Sequence, residues 1–237
     1  MYNTVIFDID GTLSDSSIGI KQAVRYTINK QHLRPLEEDV LNEFIACSPL
    51  IEAFRRFCNI KDENTAKECV EIYGKFYAKN SVKFSKVYDG VIELLDYLSE
   101  NNFKLAVATY KTSDNAKLLL KTLKLDKYFS SICAADTKNI LTKKDILNNC
   151  ITALNSPVND CIFIGDSPVD GHAAKSLGCG FIAVTYGFGF AGEADTKEYS
   201  PILTADNMEQ IREFFNKLLQ NANEPAEFYG GKCRNNC

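Results

Sequence analysis

Two aspartates follow the first apolar segment of the chain. Residues 4–9 read Thr-Val-Ile-Phe-Asp-Ile, which predicts a strand covered on both faces, and Asp8 and Asp10 lie at its carboxyl end. Ligands of open α/β sheets bind outside the carboxyl ends of the strands, so both carboxylates are expected to face one crevice. Two carboxylates this close favour a bound cation or a shared proton. Gly11 would let the backbone approach a ligand at this crevice. The alternative interpretation of this stretch is a solvent-exposed strand end followed by turn residues.

A second acidic pair follows another apolar segment, at residues 161–164. Asp166 stands at the end of that predicted strand, and Asp170 comes four residues later. Adjacent parallel strands lie about 4.8 Å apart, so Asp8 and Asp166 could hold one hard cation between them. Mg²⁺ prefers a few carboxylates together with water and phosphate oxygens. The alternative for Asp170 is a cap at the start of the following helix.

Two polar residues of other types occupy comparable positions. Thr109 ends the apolar segment 105–108, where its hydroxyl could bind a phosphate oxygen. Lys143 begins a predicted helix over residues 143–154 and starts its inward face, because the positions three, four and seven residues later are apolar. A single helical lysine is usually solvated, so Lys143 indicates a site only in combination with the other residues.

These residues lie in a chain with two different patterns. Residues 16–81 show helical periodicity with no convincing strand, which predicts an all-helical insertion of three or four helices that occupies residues 15–87. Residues 1–14 and 88–220 alternate strands with helices, which predicts an α/β domain with a doubly wound parallel sheet. The 237 residues fit one large domain, or one domain that carries a smaller inserted one. Residues 221–237 are expected to form a mobile tail.

Composition narrows the classes of function. A formal net charge of −4 argues against binding to the phosphate backbone of nucleic acids. The chain has no apolar run approaching the ~20 residues of a membrane span, and its N-terminus does not have the pattern of a signal peptide. Nine cysteines without a Cys-x-x-Cys pair favour buried free thiols over disulfides or zinc. We therefore expect a cytoplasmic protein that binds neither nucleic acid nor membrane.

These candidate site residues resemble the four sequence motifs of the haloacid dehalogenase superfamily in their order, their spacing and their placement at the ends of strands. The matching residues are Asp8, Asp10, Gly11 and Thr12, then Thr109, then Lys143, then Gly165, Asp166 and Asp170. The resemblance runs from about residue 2 to residue 219 and implies a Rossmann-like core. The helical insertion is similar to the small cap of the phosphoglycolate phosphatase-like branch.

The resemblance implies a reaction at the first motif. Asp8 would be the nucleophile that attacks phosphorus and becomes an aspartyl-phosphate. Asp10 would protonate the leaving oxygen and then activate water for the second step. Mg²⁺ would be held by the Asp8 carboxylate, the Asp10 backbone carbonyl and Asp166, and would neutralise charge between the nucleophile and the phosphate.

Substrate contacts are implied for other residues. Thr109 and Lys143 would bind non-bridging phosphate oxygens, where charge accumulates during phosphoryl transfer. Gly11 would let the backbone approach the substrate, and Asp170 would orient Lys143 or a metal-bound water. The segment that ends at Arg55 is similar to the part of the cap that faces the active site, so Arg55 could clamp a carboxylate or phosphate on the far end of the substrate. The alternative is that Arg55 is a solvated helix residue.

Asp10 favours phosphoryl transfer within the superfamily, because dehalogenases attack carbon and need neither an acid–base group there nor Mg²⁺. The leading hypothesis is a Mg²⁺-dependent phosphatase that acts on a small phosphorylated metabolite, phosphoglycolate-like or nucleoside monophosphate-like. A phosphosugar mutase of the β-phosphoglucomutase kind has the same core and stays open as an alternative. A non-catalytic regulatory protein of this fold is expected to lack a catalytic side chain, whereas this chain has all of them. We expect a monomer or a weak dimer.

Overall fold

A parallel sheet of six strands forms the centre of the molecule in the computed structural model, which describes residues 2–136 and 141–223. The strands in these ranges are β1 (Thr4–Phe7), β2 (Ser14–Asp15), β3 (Lys86–Val87), β4 (Lys104–Thr112), β5 (Ser131–Ala135), β6 (Cys161–Gly165), β7 (Gly180–Val184) and β8 (Leu203–Ala205). The sheet has the order β5-β4-β1-β6-β7-β8, and all neighbouring strands are parallel. The predicted α/β class with a doubly wound parallel sheet is confirmed.

The helices fall into two groups along the chain. They are α1 (Ser17–Lys30), α2 (Glu38–Ala46), α3 (Leu50–Phe57), α4 (Glu63–Phe76), α5 (Val91–Glu100), α6 (Ser113–Thr122), α7 (Lys143–Ala153), α8 (Pro168–Leu177), α9 (Glu193–Thr196) and α10 (Met208–Asn223). Helices α1 to α4 lie between β2 and β3, in the insertion that we call the cap segment, residues 15–87. Helices α5 to α10 alternate with the strands of the sheet.

Strand β1 determines where the polar residues meet. Its four residues are fully buried, and its last residue is paired with Val107 of β4 and Ile164 of β6. Because these three positions are level, the chain leaves the strands at one edge of the sheet. Asp8 follows β1 there, Thr109 lies in the last part of β4, and Asp166 follows β6. The sheet register therefore brings three sequence motifs to one place.

Two connections join the cap segment to the core, and they pair with each other. Ser14 lies opposite Val87 and Asp15 lies opposite Lys86, which forms a short antiparallel ribbon. Both strands lie outside residues 16–81, where the helical pattern predicts no strand and the structure has none. Strands of two residues show no measurable alternation of apolar and polar positions, so periodicity cannot detect them.

Aromatic side chains fill the interior of the cap segment. Phe44 of α2 packs edge-on against Phe54 of α3, with 5.0 Å between the ring centroids. Phe54 packs in turn against Tyr73 of α4 at 6.4 Å, and Tyr73 stacks on Tyr77 at 5.8 Å. All four rings are buried. The cap segment thus has an apolar interior of its own beside the core sheet.

Three other predictions concern features outside the sheet. Helix α10 continues to Asn223, so residues 221–223 are helical rather than part of a tail, and residues 224–237 lie outside the described ranges. The seven cysteines within those ranges are free thiols, and four of them are buried, as the free-thiol prediction requires. None of the helices in the described part of the chain combines the length and the apolarity needed to cross a membrane.

Candidate active site

Asp8 lies directly after β1, and its backbone N–H donates to the Ile164 carbonyl at 2.9 Å. Its side chain is almost fully buried, and Lys143 Nζ donates to Asp8 Oδ1 at 2.7 Å. Burial raises the pKa of Asp8 to about 6, although the neighbouring Lys143 opposes that shift. The site therefore holds a carboxylate whose charge is only partly compensated by the protein.

Lys143 is held between two carboxylates at the start of α7. Its Nζ lies 2.7 Å from Asp8 Oδ1 and 2.8 Å from Asp170 Oδ1, and the side chain is 4% exposed. Burial alone would lower the pKa of Lys143, but Asp170 and Asp8 outweigh it and raise the pKa, so the ammonium stays charged. The helix start is fixed by a capping box between Thr142 and Asp145. The Lys143 side chain faces inward, as the apolar positions that follow it predict.

Asp170 contacts both the start of α8 and the site lysine. It is the third residue of α8 in a capping box, where Ser167 Oγ donates to Asp170 Oδ2 at 2.6 Å. The N-cap itself is Ser167, so Asp170 is not the cap residue. Its other oxygen, Oδ1, pairs with Lys143. Asp170 therefore fixes the helix start and the lysine at the same time.

A group of three buried carboxylates could hold a metal ion. One oxygen each from Asp8, Asp166 and Asp170 lies within 4.8 Å of the others. Burial, together with Asp170 and Asp8, raises the pKa of Asp166 well above its usual range. Lys143 is the one ammonium paired with this group in the described structure and balances only part of its negative charge, and an all-oxygen donor set suits a hard cation such as Mg²⁺. The residues present therefore fit the predicted ion.

The carboxylates in this group differ from the predicted metal ligands in one position. Asp170 belongs to the group, whereas the side chain of Asp10 does not. Both oxygens of Asp10 are engaged elsewhere: Ser16 Oγ donates to Oδ1, and Lys111 Nζ lies 2.7 Å from Oδ2. The predicted contribution of Asp10 to the metal is its backbone carbonyl, and that contribution stays a prediction.

Gly11 is required by the close approach of Asp166. Its φ is +81°, and a Cβ atom built there would lie 2.1 Å from Asp166 Oδ2. The backbone N–H groups of Phe188 and Gly189 donate to the same Oδ2 at 2.6 and 3.3 Å. Gly11 therefore leaves room for a carboxylate of the site, which is a different contact from the predicted approach to substrate.

Lys111 is a site residue that the sequence analysis missed. Its side chain is 7% exposed, pairs with Asp10 and lies over the ring of Tyr77, with Nζ 4.4 Å from the ring centroid. Burial would lower the pKa of Lys111, but Asp10 and the two nearby tyrosines raise it. A signal was present, because Lys111 lies only two residues after Thr109 on the same strand. Lys111 links the predicted acid–base group to the cap segment.

A pocket lies between the sheet edge and the cap segment. The core contributes Asp8, Asp10, Thr109, Tyr110, Lys111, Thr112, Asn115, Lys143, Asp166, Ser167 and Phe188. The cap segment contributes Ile20, Phe44, Ile45, Ala46, Cys47, Ser48, Leu50, Val70, Tyr73 and Gly74. Thr109 is buried at the edge of this pocket, as its predicted role requires. The arrangement places polar chemistry on one wall and a largely apolar surface on the other.

Arg55 is not brought to this pocket. Its side chain is 42% exposed and lies 3.6 Å from Glu52 of the same helix, an ion pair on the outer surface of α3. The substrate contact of Arg55 is predicted from the similarity of residues 48–55 to the part of the cap that faces the active site. Ser48 and Leu50 of that segment line the pocket, whereas Arg55 does not. The alternative of a solvated helix residue describes Arg55 in this structure.

Comparison with known proteins places the chain in a family. The model of haloacid dehalogenase-like hydrolases matches residues 5–184. The tyrosine-protein kinase PtkA of Mycobacterium tuberculosis is 28% identical over 211 residues, covering 88% of this chain and 71% of that protein. A phosphoglycolate phosphatase of Agrobacterium fabrum is 32% identical over 188 residues, covering 77% of this chain and 80% of that protein.

Solved structures agree with the sequence comparisons. The crystal structure of a predicted phosphatase from Clostridium acetobutylicum has a TM-score of 0.82 and 33% identity, covering 93% of this chain and 99% of that one. The family match spans all four motifs and most of the core sheet. On the motifs, the fold and these matches, the chain belongs to the haloacid dehalogenase-like hydrolases and is an enzyme of that family.

Proposed function

We propose that the protein is a Mg²⁺-dependent phosphatase that hydrolyses a small phosphate monoester through a phosphorylated Asp8. The observation that carries this proposal is the buried Asp8 carboxylate, which pairs with Lys143 and shares an all-oxygen cluster with Asp166. A phosphatase among the relatives supports the same activity. The preferred monoesters are the two classes expected from the sequence, phosphoglycolate-like and nucleoside monophosphate-like.

In the first step, an Asp8 oxygen forms a bond to phosphorus while the bond from phosphorus to the leaving oxygen breaks. Asp10 donates its proton to that leaving oxygen, which departs as an alcohol. Lys143 and Thr109 face the non-bridging oxygens, where charge accumulates in the transition state. In the second step, water gives a proton to Asp10 and attacks phosphorus, which releases Asp8 and inorganic phosphate.

Asp8 and Asp166 would hold Mg²⁺, with Asp170 and the Asp10 backbone carbonyl as further oxygen donors. When bound, the ion supplies positive charge between two groups that would otherwise repel each other, the carboxylate and the phosphate. Lys143 alone cannot supply it, since Asp170 already shares that ammonium. The protein groups position the substrate and move the proton between Asp10 and the leaving oxygen.

The experiment is a panel of phosphorylated metabolites assayed for phosphate release, before and after metal removal. We expect turnover with Mg²⁺, its loss in excess chelator, and recovery when Mg²⁺ is restored. Full turnover after metal removal contradicts the metal assignment. Acid quenching during turnover of labelled substrate should leave the label on Asp8, and label on another residue contradicts the nucleophile.

Three other outcomes separate the alternatives. An isomerised sugar phosphate instead of released phosphate supports a mutase of the β-phosphoglucomutase kind. Transfer of label to a protein tyrosine supports an activity like the one for which the mycobacterial relative is named. Absence of turnover on every phosphorylated compound supports a non-catalytic regulatory protein.

We further propose that the protein is cytoplasmic, is a monomer or weak dimer, and binds neither nucleic acid nor membrane. Sedimentation at several protein concentrations tests the oligomeric state.

A further inference from the structure

The cap wall of the pocket has no charged side chain among the described residues that line it. Phe44, Ile45 and Leu50 come from α2 and α3, and Val70 and Tyr73 come from α4. Phe44 and Tyr73 are buried in the aromatic interior of the cap segment, so their positions are fixed. The leaving group of a substrate whose phosphate sits at Asp8 faces this wall.

The described lysines of the pocket are already paired. Lys143 is shared between Asp8 and Asp170, and Lys111 is held by Asp10 at 2.7 Å under the ring of Tyr77. They are the only cationic side chains among the described residues that line the pocket, so a second anion on the substrate could gain a charged partner only by taking one of them away from its carboxylate. That exchange leaves a buried carboxylate without its partner, which is unfavourable.

The balance of charge leads to the same conclusion. The site contains four carboxylates, Asp8, Asp10, Asp166 and Asp170, and two lysines. With one divalent cation bound and Asp10 protonated, as its role as the acid requires, the site has a net charge of about +1, and the dianionic phosphoryl group of a monoester makes it negative. A carboxylate or second phosphate on the leaving group adds further negative charge against an uncharged, apolar surface.

We infer that the substrate's leaving group is uncharged and presents an apolar or aromatic face to the cap wall, an inference that rests on the proposed phosphatase activity. A nucleoside 5′-monophosphate has a leaving group of this kind. Phosphoglycolate and pyrophosphate do not, because each has a second anionic group. The structure thus favours one of the two proposed substrate classes, the nucleoside monophosphates.

A matched pair of substrates tests this directly. 2-Phosphoglycolate and its amide, 2-phosphoglycolamide, have nearly the same shape and differ in the charge of the far group. We expect kcat/KM to be roughly 10- to 100-fold higher for the amide. Uridine 5′-monophosphate should likewise exceed pyrophosphate. Equal or higher kcat/KM for phosphoglycolate overturns the inference and leaves the phosphatase proposal intact, whereas no hydrolysis of any of the four compounds overturns both.

A cation placed on the cap wall should reverse the preference. Ile45→Arg adds a guanidinium to the wall, and Ile45→Met is the control of similar length without charge. We expect Ile45→Arg to raise kcat/KM for phosphoglycolate relative to its amide by roughly tenfold, and Ile45→Met to leave that ratio unchanged. Val70→Lys makes the same test from α4 if Ile45→Arg does not fold. No change of the ratio in either folded variant shows that the wall does not face the leaving group.

Lys111 provides the remaining check. If Lys111→Met lowers hydrolysis of phosphoglycolate much more than hydrolysis of its amide, then Lys111 binds the second anion and the inference is overturned. Equal losses on both substrates agree with a lysine that serves Asp10 and not the leaving group.

Discussion

The two walls of the pocket are built in opposite ways. The core wall places buried charges at the ends of strands, where the sheet register fixes the backbone. The cap wall consists of uncharged side chains on helices that are connected to the core by two short segments. Buried charges need partners held at defined distances, so they belong on the most constrained backbone of the molecule. Apolar contacts tolerate displacement, and they suit a segment that can differ between relatives.

The relatives of this chain have names that denote different activities. A protein named as a tyrosine kinase and one named as a phosphoglycolate phosphatase match this chain at 28% and 32% identity. Proteins of one fold can differ in activity, because function resides in sites rather than in folds. Substitutions in the core wall should therefore act on turnover, and substitutions in the cap wall on substrate preference.

The strongest test of the core wall is Asp8→Asn. The variant should lose at least about 10⁴-fold in kcat, because the amide cannot attack phosphorus. Its stability should not fall, since burial already disfavours the charge on Asp8. Phosphate release in the presence of Mg²⁺ measures the first effect, and thermal unfolding of the same preparation in excess chelator measures the second.

The pH dependence of unfolding sharpens the result for Asp8. Folding raises the pKa of the Asp8 carboxyl from 3.8 to about 6, so between these pH values the folded state binds more protons than the unfolded state. The free energy of unfolding therefore falls as the pH rises through this range. At pH 7 without metal, Asp8→Asn should melt at or above the temperature of the wild type. The difference should shrink as the pH falls through 6 and vanish below about 3, where Asp8 is protonated in both the folded and the unfolded wild type. A large loss of stability at pH 7 would show that Asp8 is needed to hold Lys143.

Lys111→Met tests the one described lysine that links the two walls. We expect kcat to fall by roughly 10- to 100-fold, because Asp10 loses the partner that orients it, while KM changes less. Lys111→Arg should recover part of the loss, since it keeps the charge. Lys144→Met, an exposed lysine beside the site lysine on α7, is the matched control and should retain full activity.

The main features of the core wall could be predicted because apolar strands have clear ends. Three buried runs in the sequence locate these strand ends, and the sheet then brings Asp8, Thr109 and Asp166 together. The lysine at the start of α7 was recognisable from the apolar positions that follow it. Lys111 was missed because a charged residue at the end of a strand is ordinarily solvated. Its burial depends on Tyr77, which comes from the cap segment and is remote in sequence.

The cap wall was much less predictable. Helical periodicity shows which residues of α1 to α4 are buried, but not how the bundle is placed against the core. Arg55 was assigned to the pocket from the similarity of one segment, and the structure instead pairs it with Glu52 on the outer surface. Orientation of a helix about its own axis depends on packing with its neighbours, which single-sequence patterns do not contain.

Gly11 and Gly178 allow a smaller, matched test of backbone geometry. Both have positive φ, +81° and +76°, but a Cβ at Gly11 meets Asp166 whereas one at Gly178 meets nothing within 4 Å. Gly178→Ala should cost about 1–2 kcal/mol of unfolding free energy and leave activity intact. Gly11→Ala should cost more than that and also weaken Mg²⁺ binding, because Asp166 must move. Chemical denaturation and calorimetric titration with Mg²⁺ measure these quantities, and equal behaviour of the two variants would contradict the contact.

Arg55→Ala should have the smallest effect and is the sharpest check on the cap wall. The side chain is 42% exposed and its partner Glu52 is on the same turn of α3, an arrangement that contributes about 0–1 kcal/mol. We expect kcat/KM to stay within about threefold of the wild type for both 2-phosphoglycolate and 2-phosphoglycolamide, since a side chain outside the pocket adds no transition-state contact. The comparison of the two substrates matters more than either value. A loss confined to phosphoglycolate would mean that the cap segment moves far enough to bring Arg55 onto a second anion. The inference that the leaving group is uncharged would then be overturned.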